Sequence, residues 1–197
     1  ILTGQYSHVN GVYNLPDALD PDSLNVAKVL KNNGYQTSIV GKWHLKKEPS
    51  GFDYYKVLPG QGLYNDPYFK TKENWEDGSR GGEKEKGFSA DIIGDSSIEW
   101  LKKIDRNKPF FMMTHFKATH EPFDYPERHE SLNENIVFPE PTSLYEFDSK
   151  ESGRNHLGQI VENLTERWQN DLKNEIRRYP GNAIDTRNLT RKEIRSK

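Results

Sequence analysis

The feature that most limits how this chain can fold is a helix-like segment, which a glycine joins to a short apolar run. Residues 20–35, DPDSLNVAKVLKNNGY, predict a helix with Asp20 as the N-cap, Pro21 at the first helical position and Gly34 at the C-terminal end. Its expected apolar face consists of Leu24, Ala27, Val29 and Leu30. Residues 36–43, QTSIVGKW, follow as a short buried strand. A helix and a strand joined through a tight turn are typical of α/β proteins.

The chain contains a second unit of the same kind. Residues 90–104, ADIIGDSSIEWLKKI, predict a helix, and the run from Pro109 to Phe116 predicts a strand. The expected core residues of this helix are Ile92, Ile93, Ile98, Trp100 and Leu101. Residues 49–88 are rich in Gly, Pro and polar residues, which favours a loop. Apolar residues at every fourth position predict a further helix over residues 157–178, and a basic tail follows over 179–197.

Composition limits the partners and the chemistry. The 28 basic and 30 acidic residues nearly balance, which gives no general case for nucleic acid or membrane partners. The chain has no cysteine, which excludes disulfides, zinc–thiolate sites and a cysteine nucleophile. Only 32% of its 197 residues are hydrophobic, which is low for a self-contained domain, and the chain does not begin with Met. We therefore expect an internal piece of a longer protein, and nothing in the sequence indicates its oligomeric state.

Four basic side chains lie near or just beyond the carboxyl ends of the two predicted strands. Ligands of open α/β sheets bind beyond the carboxyl ends of the strands, where Lys42, His44, His115 and His120 are expected. On an extended segment Lys42 and His44 face the same side, so a fixed cation and a proton-exchanging imidazole could meet one anion. A solvated strand edge also explains this pair. His115 also fits a core histidine, whereas His120 lies in the following loop.

A glycine-rich segment and the carboxylate residues do not predict a further binding site. The segment GSRGGEKEKG, residues 78–87, lacks the Lys-Ser/Thr ending of a phosphate loop and a preceding strand, so a linker is the better interpretation. The Asp and Glu residues show no paired-carboxylate cluster and no EF-hand spacing, so the sequence predicts no metal site in this chain.

Three segments together resemble the sulfatase family of the alkaline-phosphatase-like superfamily. ILTGQY, followed by Gly11-Val12, resembles the end of the first sulfatase signature, and GYQTSIVGKWHL, residues 34–45, resembles the second almost residue for residue. KPFFMMTHFKATHEPF, residues 108–123, resembles the strand and loop that bear a substrate-side histidine. GFDYYKVLPGQG further resembles bacterial enzymes that act on sulfated glycans, including N-acetylglucosamine-6-sulfatases.

This resemblance implies a fold and a reaction. The expected fold is an incomplete alkaline-phosphatase-like three-layer α/β sandwich, with residues 1–178 as part of a sulfatase catalytic domain. The expected reaction is hydrolysis of sulfate esters, on a sulfated carbohydrate, through a formylglycine nucleophile with calcium. The resemblance assigns Lys42 to the formylglycine and a sulfate oxygen, His44 to a formylglycine hydroxyl as a base, and His120 to sulfate and the leaving group. It also implies an exported or lysosomal protein.

The family's nucleophile and its metal ligands have no counterpart in these 197 residues. We therefore expect that the chain alone does not turn over sulfate esters. Two alternatives remain open from the sequence: a phosphatase or phosphodiesterase of the same superfamily, and a non-catalytic fragment that binds anionic glycans.

Overall fold

The chain divides into two compact units, with the boundary between Thr119 and His120. The computed structural model describes residues 1–120 and 123–139. In the described part of the second unit, Glu127–His129 form a short 3-10 helix. The predicted helix over 157–178 and the basic tail over 179–197 lie outside the described residues.

The first unit contains a three-stranded parallel sheet and a small antiparallel pair. Its helices are α1 (Ser7–Asn10), α2 (Val26–Asn32) and α3 (Ser89–Lys103). Its strands are β1 (Gln36–Trp43), β2 (Tyr54–Pro59), β3 (Tyr68–Phe69), β4 (Glu83–Lys84) and β5 (Phe110–His115). The parallel sheet has the order β2-β1-β5, and β3 pairs with β4. No helix in residues 1–120 or 123–139 has both the length and the apolar content that a membrane span requires.

The two predicted helix–strand units are confirmed, and the bounds of β1, β5 and α3 differ from the predicted ones by at most one residue. Strand β1 has the predicted bounds, and β5 loses one residue at each end of the predicted run. Helix α3 begins at Ser89 instead of residue 90 and ends at Lys103. After α2, Gly34 adopts φ +84°, and the Tyr35 N–H donates to the Leu30 carbonyl oxygen over 3.1 Å. This closes the helix in the way that favours glycine just past its end.

The predicted start of α2 was wrong. The helix begins at Val26, and its N-cap is Asn25, whose side-chain oxygen accepts from the Lys28 N–H over 3.0 Å. The carboxylate of Asp20 instead accepts from the Asp22 N–H over 2.9 Å, which builds a local turn ahead of the helix. Of the predicted apolar face, Ala27 is buried, whereas Leu24 and Val29 are exposed.

The prediction that residues 49–88 form a loop was also wrong, because β2, β3 and β4 lie within them. Lys56 interrupts the apolar pattern of β2 and hides this strand in the sequence. Its ammonium lies 5.0 Å from the centre of the Phe69 ring and 2.8 Å from a carboxylate oxygen of Glu85. The aliphatic part of a lysine can cover apolar surface in this way while its charge is paired.

Each face of the parallel sheet carries its own core. On one face Ala27 of α2 packs with Ile39, Trp43, Phe52, Tyr55 and Val57. On the other face Ile93 of α3 packs with Val40, Leu58 and Phe69. Neighbours along the strand, such as Ile39 and Val40, belong to opposite faces, as the alternation of side chains requires. A sheet covered by helices on both faces explains why β1 is buried along almost its whole length.

Helix α3 contacts the sheet through a narrower surface than its sequence predicted. Ile93 is fully buried, and Ser97 donates to the Ile93 carbonyl oxygen over 2.7 Å while lying 3.3 Å from the Thr114 hydroxyl of β5. Ile98 and Leu101 are exposed, so their assignment to the core of this unit was wrong. The buried face of α3 includes the small residues Ser89, Ser96 and Ser97. The larger side chains of Ile98 and Leu101 lie on the exposed face of the helix.

Candidate active site

The carboxyl ends of β1, β2 and β5 meet at one edge of the sheet, because the three strands are parallel. Lys42 lies near the carboxyl end of β1 at this edge, and Gln61 lies two residues after the end of β2. Strand β5 ends at His115, with Lys117 two residues later. We call this set of four residues the cationic edge, because two ammonium groups come together there.

Gly41 allows β1 and β5 to approach each other just before Lys42. The register pairs Gly41 with His115, and a Cβ atom on Gly41 would lie 1.9 Å from the His115 carbonyl oxygen. Gly41 also has φ +105°, which side chains other than glycine rarely adopt. The approach brings Nδ1 of His115 within 3.2 Å of the Lys42 carbonyl oxygen. A proton on Nδ1 would be donated to that oxygen, so His115 supports the backbone at Lys42.

The segment Lys42-Trp43-His44 alternates in burial. Trp43 is buried with the α2-side core, packs edge-on against Phe52 at 6.5 Å between ring centres, and donates from Nε1 to the Lys47 carbonyl oxygen. Lys42 and His44 flank it and are half-buried. This pattern agrees with the expectation that Lys42 and His44 face the same side, and the catalytic roles of the two residues stay predictions.

The ammonium of Lys42 is held by Gln61, at 2.6 Å from its Oε1 atom. Gln61 lies between Gly60 and Gly62, whose φ values are +62° and +65°. The turn after β2 therefore needs glycine on both sides of the glutamine. Burial, and after it the positive charge of Lys117, lower the pKa of Lys42 below its ordinary value.

The sequence patterns do not single out Gln61 or Lys117, which the structure brings together with Lys42. Gln61 lies within the segment predicted as a loop, and Lys117 directly follows the predicted strand over 109–116. Lys117 is 3% exposed, and its ammonium lies 3.3 Å from the Gln61 carbonyl oxygen and 4.8 Å from the centre of the Tyr64 ring. One pattern in the sequence could have indicated Lys117. It lies two residues after His115 at the end of a strand, and Lys42 and His44 have the same spacing.

The remaining predicted site residue, His120, is exposed and begins the second unit. The cationic edge of the first unit is formed without it, and its role on the leaving-group side stays a prediction. Within residues 1–120 and 123–139, no three His, Asp or Glu side chains form a group that could hold a metal ion. The described residues thus do not fit a calcium site.

The fold and the cationic edge define an α/β protein suited to an anionic ligand. The chain matches the Sulfatase family over residues 1–167, and it belongs to that family. It is 41% identical over 178 residues to an N-acetylglucosamine-6-O-sulfatase of Bacteroides thetaiotaomicron, covering 88% of this chain and 30% of that protein. It is 27% identical over 165 residues to an ulvan-active sulfatase of Formosa agariphila, covering 77% and 32%. The chain thus spans about a third of the length of these relatives.

Solved structures agree with this assignment. The structure of BT4656 in complex with its substrate D-glucosamine-2-N,6-O-disulfate matches with a TM-score of 0.76 and 34% identity, over 99% of this chain and 36% of that chain. The structure of Ps i-CgsB with k-i-k-neocarrahexaose matches with a TM-score of 0.59 at 18% identity, over 90% and 43%, which supports the fold alone. The predicted alkaline-phosphatase-like α/β class, present here as a partial catalytic domain, is confirmed.

Proposed function

We propose that this chain forms one cationic wall of a sulfatase active site, in a longer protein that hydrolyses sulfate esters on carbohydrates. The observation that carries the proposal is the half-buried ammonium of Lys42, held by Gln61 at the carboxyl edge of a parallel sheet. A fixed cation at that edge favours an anionic ligand. Membership of the sulfatase family makes a sulfate ester the anion that fits best.

Lys42 would act by electrostatics. Negative charge grows on the sulfate oxygens and the leaving oxygen as the ester bond breaks, and a preoriented ammonium stabilises such charge without having to reorganise. The bond to Gln61 and the contact of His115 with the Lys42 backbone supply this orientation. Because Lys42 is half-buried, its charge would act in a medium less polarisable than water.

His44 and His120 would move protons. An imidazole exchanges a proton near neutral pH, so His44 fits a general base and His120 a donor to the departing alcohol. The family resemblance implies a formylglycine as the group that supplies the nucleophile and calcium as the resident metal. In the proposed protein both are contributed by segments other than residues 1–197. An exported or lysosomal location follows from the same resemblance and is part of the proposal.

The relatives indicate which substrate to try first. One is named for N-acetylglucosamine-6-O-sulfate chemistry, and the substrate in the matching structure is a 6-O-sulfated glucosamine. We infer that the sulfated carbohydrate is an amino sugar with sulfate on O6. Turnover of the matching 6-phosphate in place of the sulfate ester would instead favour a phosphatase.

The test is sulfate release by the longer protein, measured for the unchanged protein and for Lys42→Ala and His44→Ala. We expect Lys42→Ala to lose about 10²–10³-fold in kcat, as for removal of a charge-stabilising donor. We expect His44→Ala to lose about 10²–10⁴-fold, as for removal of a general base. Lys47→Ala is the matched control, because Lys47 is an exposed lysine paired with Asp77 at 2.6 Å. Near-normal turnover of Lys42→Ala would refute the assignment, and the 197-residue chain alone should show no turnover.

A further inference from the structure

Lys117 is a buried cation that the proposed mechanism does not use. It follows β5 and is 3% exposed, although an ammonium group is costly to remove from water. Its contacts with the Gln61 carbonyl oxygen at 3.3 Å and with the face of the Tyr64 ring at 4.8 Å offset part of that cost. Its ammonium therefore adds a second fixed positive charge to the cationic edge.

Gln61 connects Lys117 to Lys42. Its backbone carbonyl accepts from Lys117, and its side-chain oxygen accepts from Lys42, so one residue holds both ammonium groups. Like charges held together repel each other, and the positive charge of Lys117 contributes, after burial, to the lowered pKa of Lys42. Among the described residues, no carboxylate forms an ion pair with Lys42. An anion placed at the pair would relieve this repulsion.

We propose that Lys117 is a positioning residue of the sulfate site, and that Lys42 and Lys117, bridged by Gln61, together orient the sulfate group of the substrate. This inference rests on the proposed function and adds a residue to it. Lys117 fixes the Gln61 backbone from one side, and the Gln61 side chain in turn fixes the Lys42 ammonium. The charge of Lys117 adds to the field that the anion experiences.

The two effects of the Lys117 charge have opposite signs, and this makes the proposal testable. Loss of that charge weakens anion binding, because one cation is gone. It also raises the pKa of Lys42 toward its ordinary value, because the neighbouring like charge is gone. Among the described residues, His115 faces the Lys42 carbonyl oxygen and His44 lies two residues later, and the substitution changes neither.

The experiment measures the dissociation constant of inorganic sulfate by calorimetry, from pH 7 to pH 11 at constant ionic strength, for the full chain. It compares the unchanged chain with Lys117→Met and Lys117→Arg. For Lys117→Met we expect roughly tenfold weaker binding at pH 7, in line with loss of one charge near an anion. We also expect the alkaline loss of binding to move to higher pH. Lys117→Arg keeps the charge and should restore both properties toward those of the unchanged chain.

Lys70→Met is the matched control. Lys70 is fully buried, bonds to the carbonyl oxygens of Glu76 and Gly78, and lies 4.9 Å from the centre of the Trp75 ring. Like Lys117, Lys70 is a buried lysine that contacts a backbone carbonyl oxygen and an aromatic ring, but it lies outside the cationic edge. Lys70→Met should therefore leave sulfate binding unchanged. Equal sulfate affinity in Lys117→Met and the unchanged chain would overturn the proposal. So would Lys117→Arg binding as weakly as Lys117→Met, or Lys70→Met losing as much affinity as Lys117→Met.

A second measurement covers the case in which Lys117→Met does not fold. The lysine side chains of the unchanged chain are labelled with ¹³C, and Lys42 and Lys117 are both titrated by NMR with and without inorganic sulfate. Sulfate should raise the pKa of both Lys42 and Lys117, and an unchanged pKa of Lys117 would overturn the proposal. Both measurements need no turnover. Failure of the longer protein to release sulfate from its ester would therefore count against the proposed function, whereas these results decide the role of Lys117.

Discussion

Replacing Gly41 by alanine tests whether the approach of β1 to β5 creates the cationic edge. The new Cβ atom would lie 1.9 Å from the His115 carbonyl oxygen, which is about 1.5 Å short of the 3.4 Å at which ordinary contact begins. The atom it meets is backbone, so no side-chain rotation relieves the clash. The φ of +105° adds strain of about 1–3 kcal/mol for a non-glycine residue.

The expected loss of stability follows from these two terms. Moving β5 away from β1 would also weaken the ladder hydrogen bonds near the Gly41–His115 pair, each of which contributes about 1 kcal/mol. We therefore expect the free energy of unfolding to fall by about 3–5 kcal/mol. That is a large share of the roughly 5–15 kcal/mol that stabilises a typical domain. The same displacement would shift Lys42, so sulfate binding should weaken as well.

Urea unfolding of the full chain, followed by circular dichroism, measures this change. Gly94→Ala is the matched control, because Gly94 lies within α3 and has nothing within 4 Å of an added Cβ atom. That substitution should stabilise the chain by about 0.5–1 kcal/mol, since alanine is the better helix former. A Gly41→Ala variant within about 0.5 kcal/mol of the unchanged chain would refute the argument, because surface substitutions alone give changes of that size.

Two further predictions concern the elements that hold the sheet. Asn25→Ala should lower the free energy of unfolding by about 1–2 kcal/mol in the same assay, because it removes the cap of the Lys28 N–H, and Asn25→Asp should retain most of that cap. Burial raises the pKa of Asp53, but hydrogen bonds from Lys31 and Thr37 outweigh this effect and lower the pKa overall. The ionised carboxylate therefore stabilises the fold above its unfolded pKa of 3.8, and this stabilisation is lost as pH falls through the lower folded pKa. Urea midpoints should separate Asp53→Asn from the unchanged chain at pH 7 and converge in strong acid; a gap that persists there would contradict this account.

Local patterns in the sequence determined the parts of the fold whose signals lie close together along the chain. The run QTSIVGKW predicted β1 with its observed bounds, because a short run without a helical period, soon after a glycine that ends a helix, favours a buried strand. Gly34 predicted the end of α2, since the left-handed conformation it adopts is accessible mainly to glycine. The spacing of Lys42 and His44 likewise predicted anion chemistry at the end of β1, and this role stays a prediction.

Tertiary contacts decided what the local pattern could not show. Strand β2 was hard to predict because the groups that accommodate Lys56 in it, Phe69 and Glu85, lie far along the chain. The partnership of Lys42 with Gln61 and Lys117 depends on three parallel strands ending at one edge, and residues separated by 19 and 56 positions meet there. Sequence alone thus identified the cation at the end of β1. The sheet order determined which groups hold that cation, because only pairing of β1 with both β2 and β5 brings their carboxyl ends together.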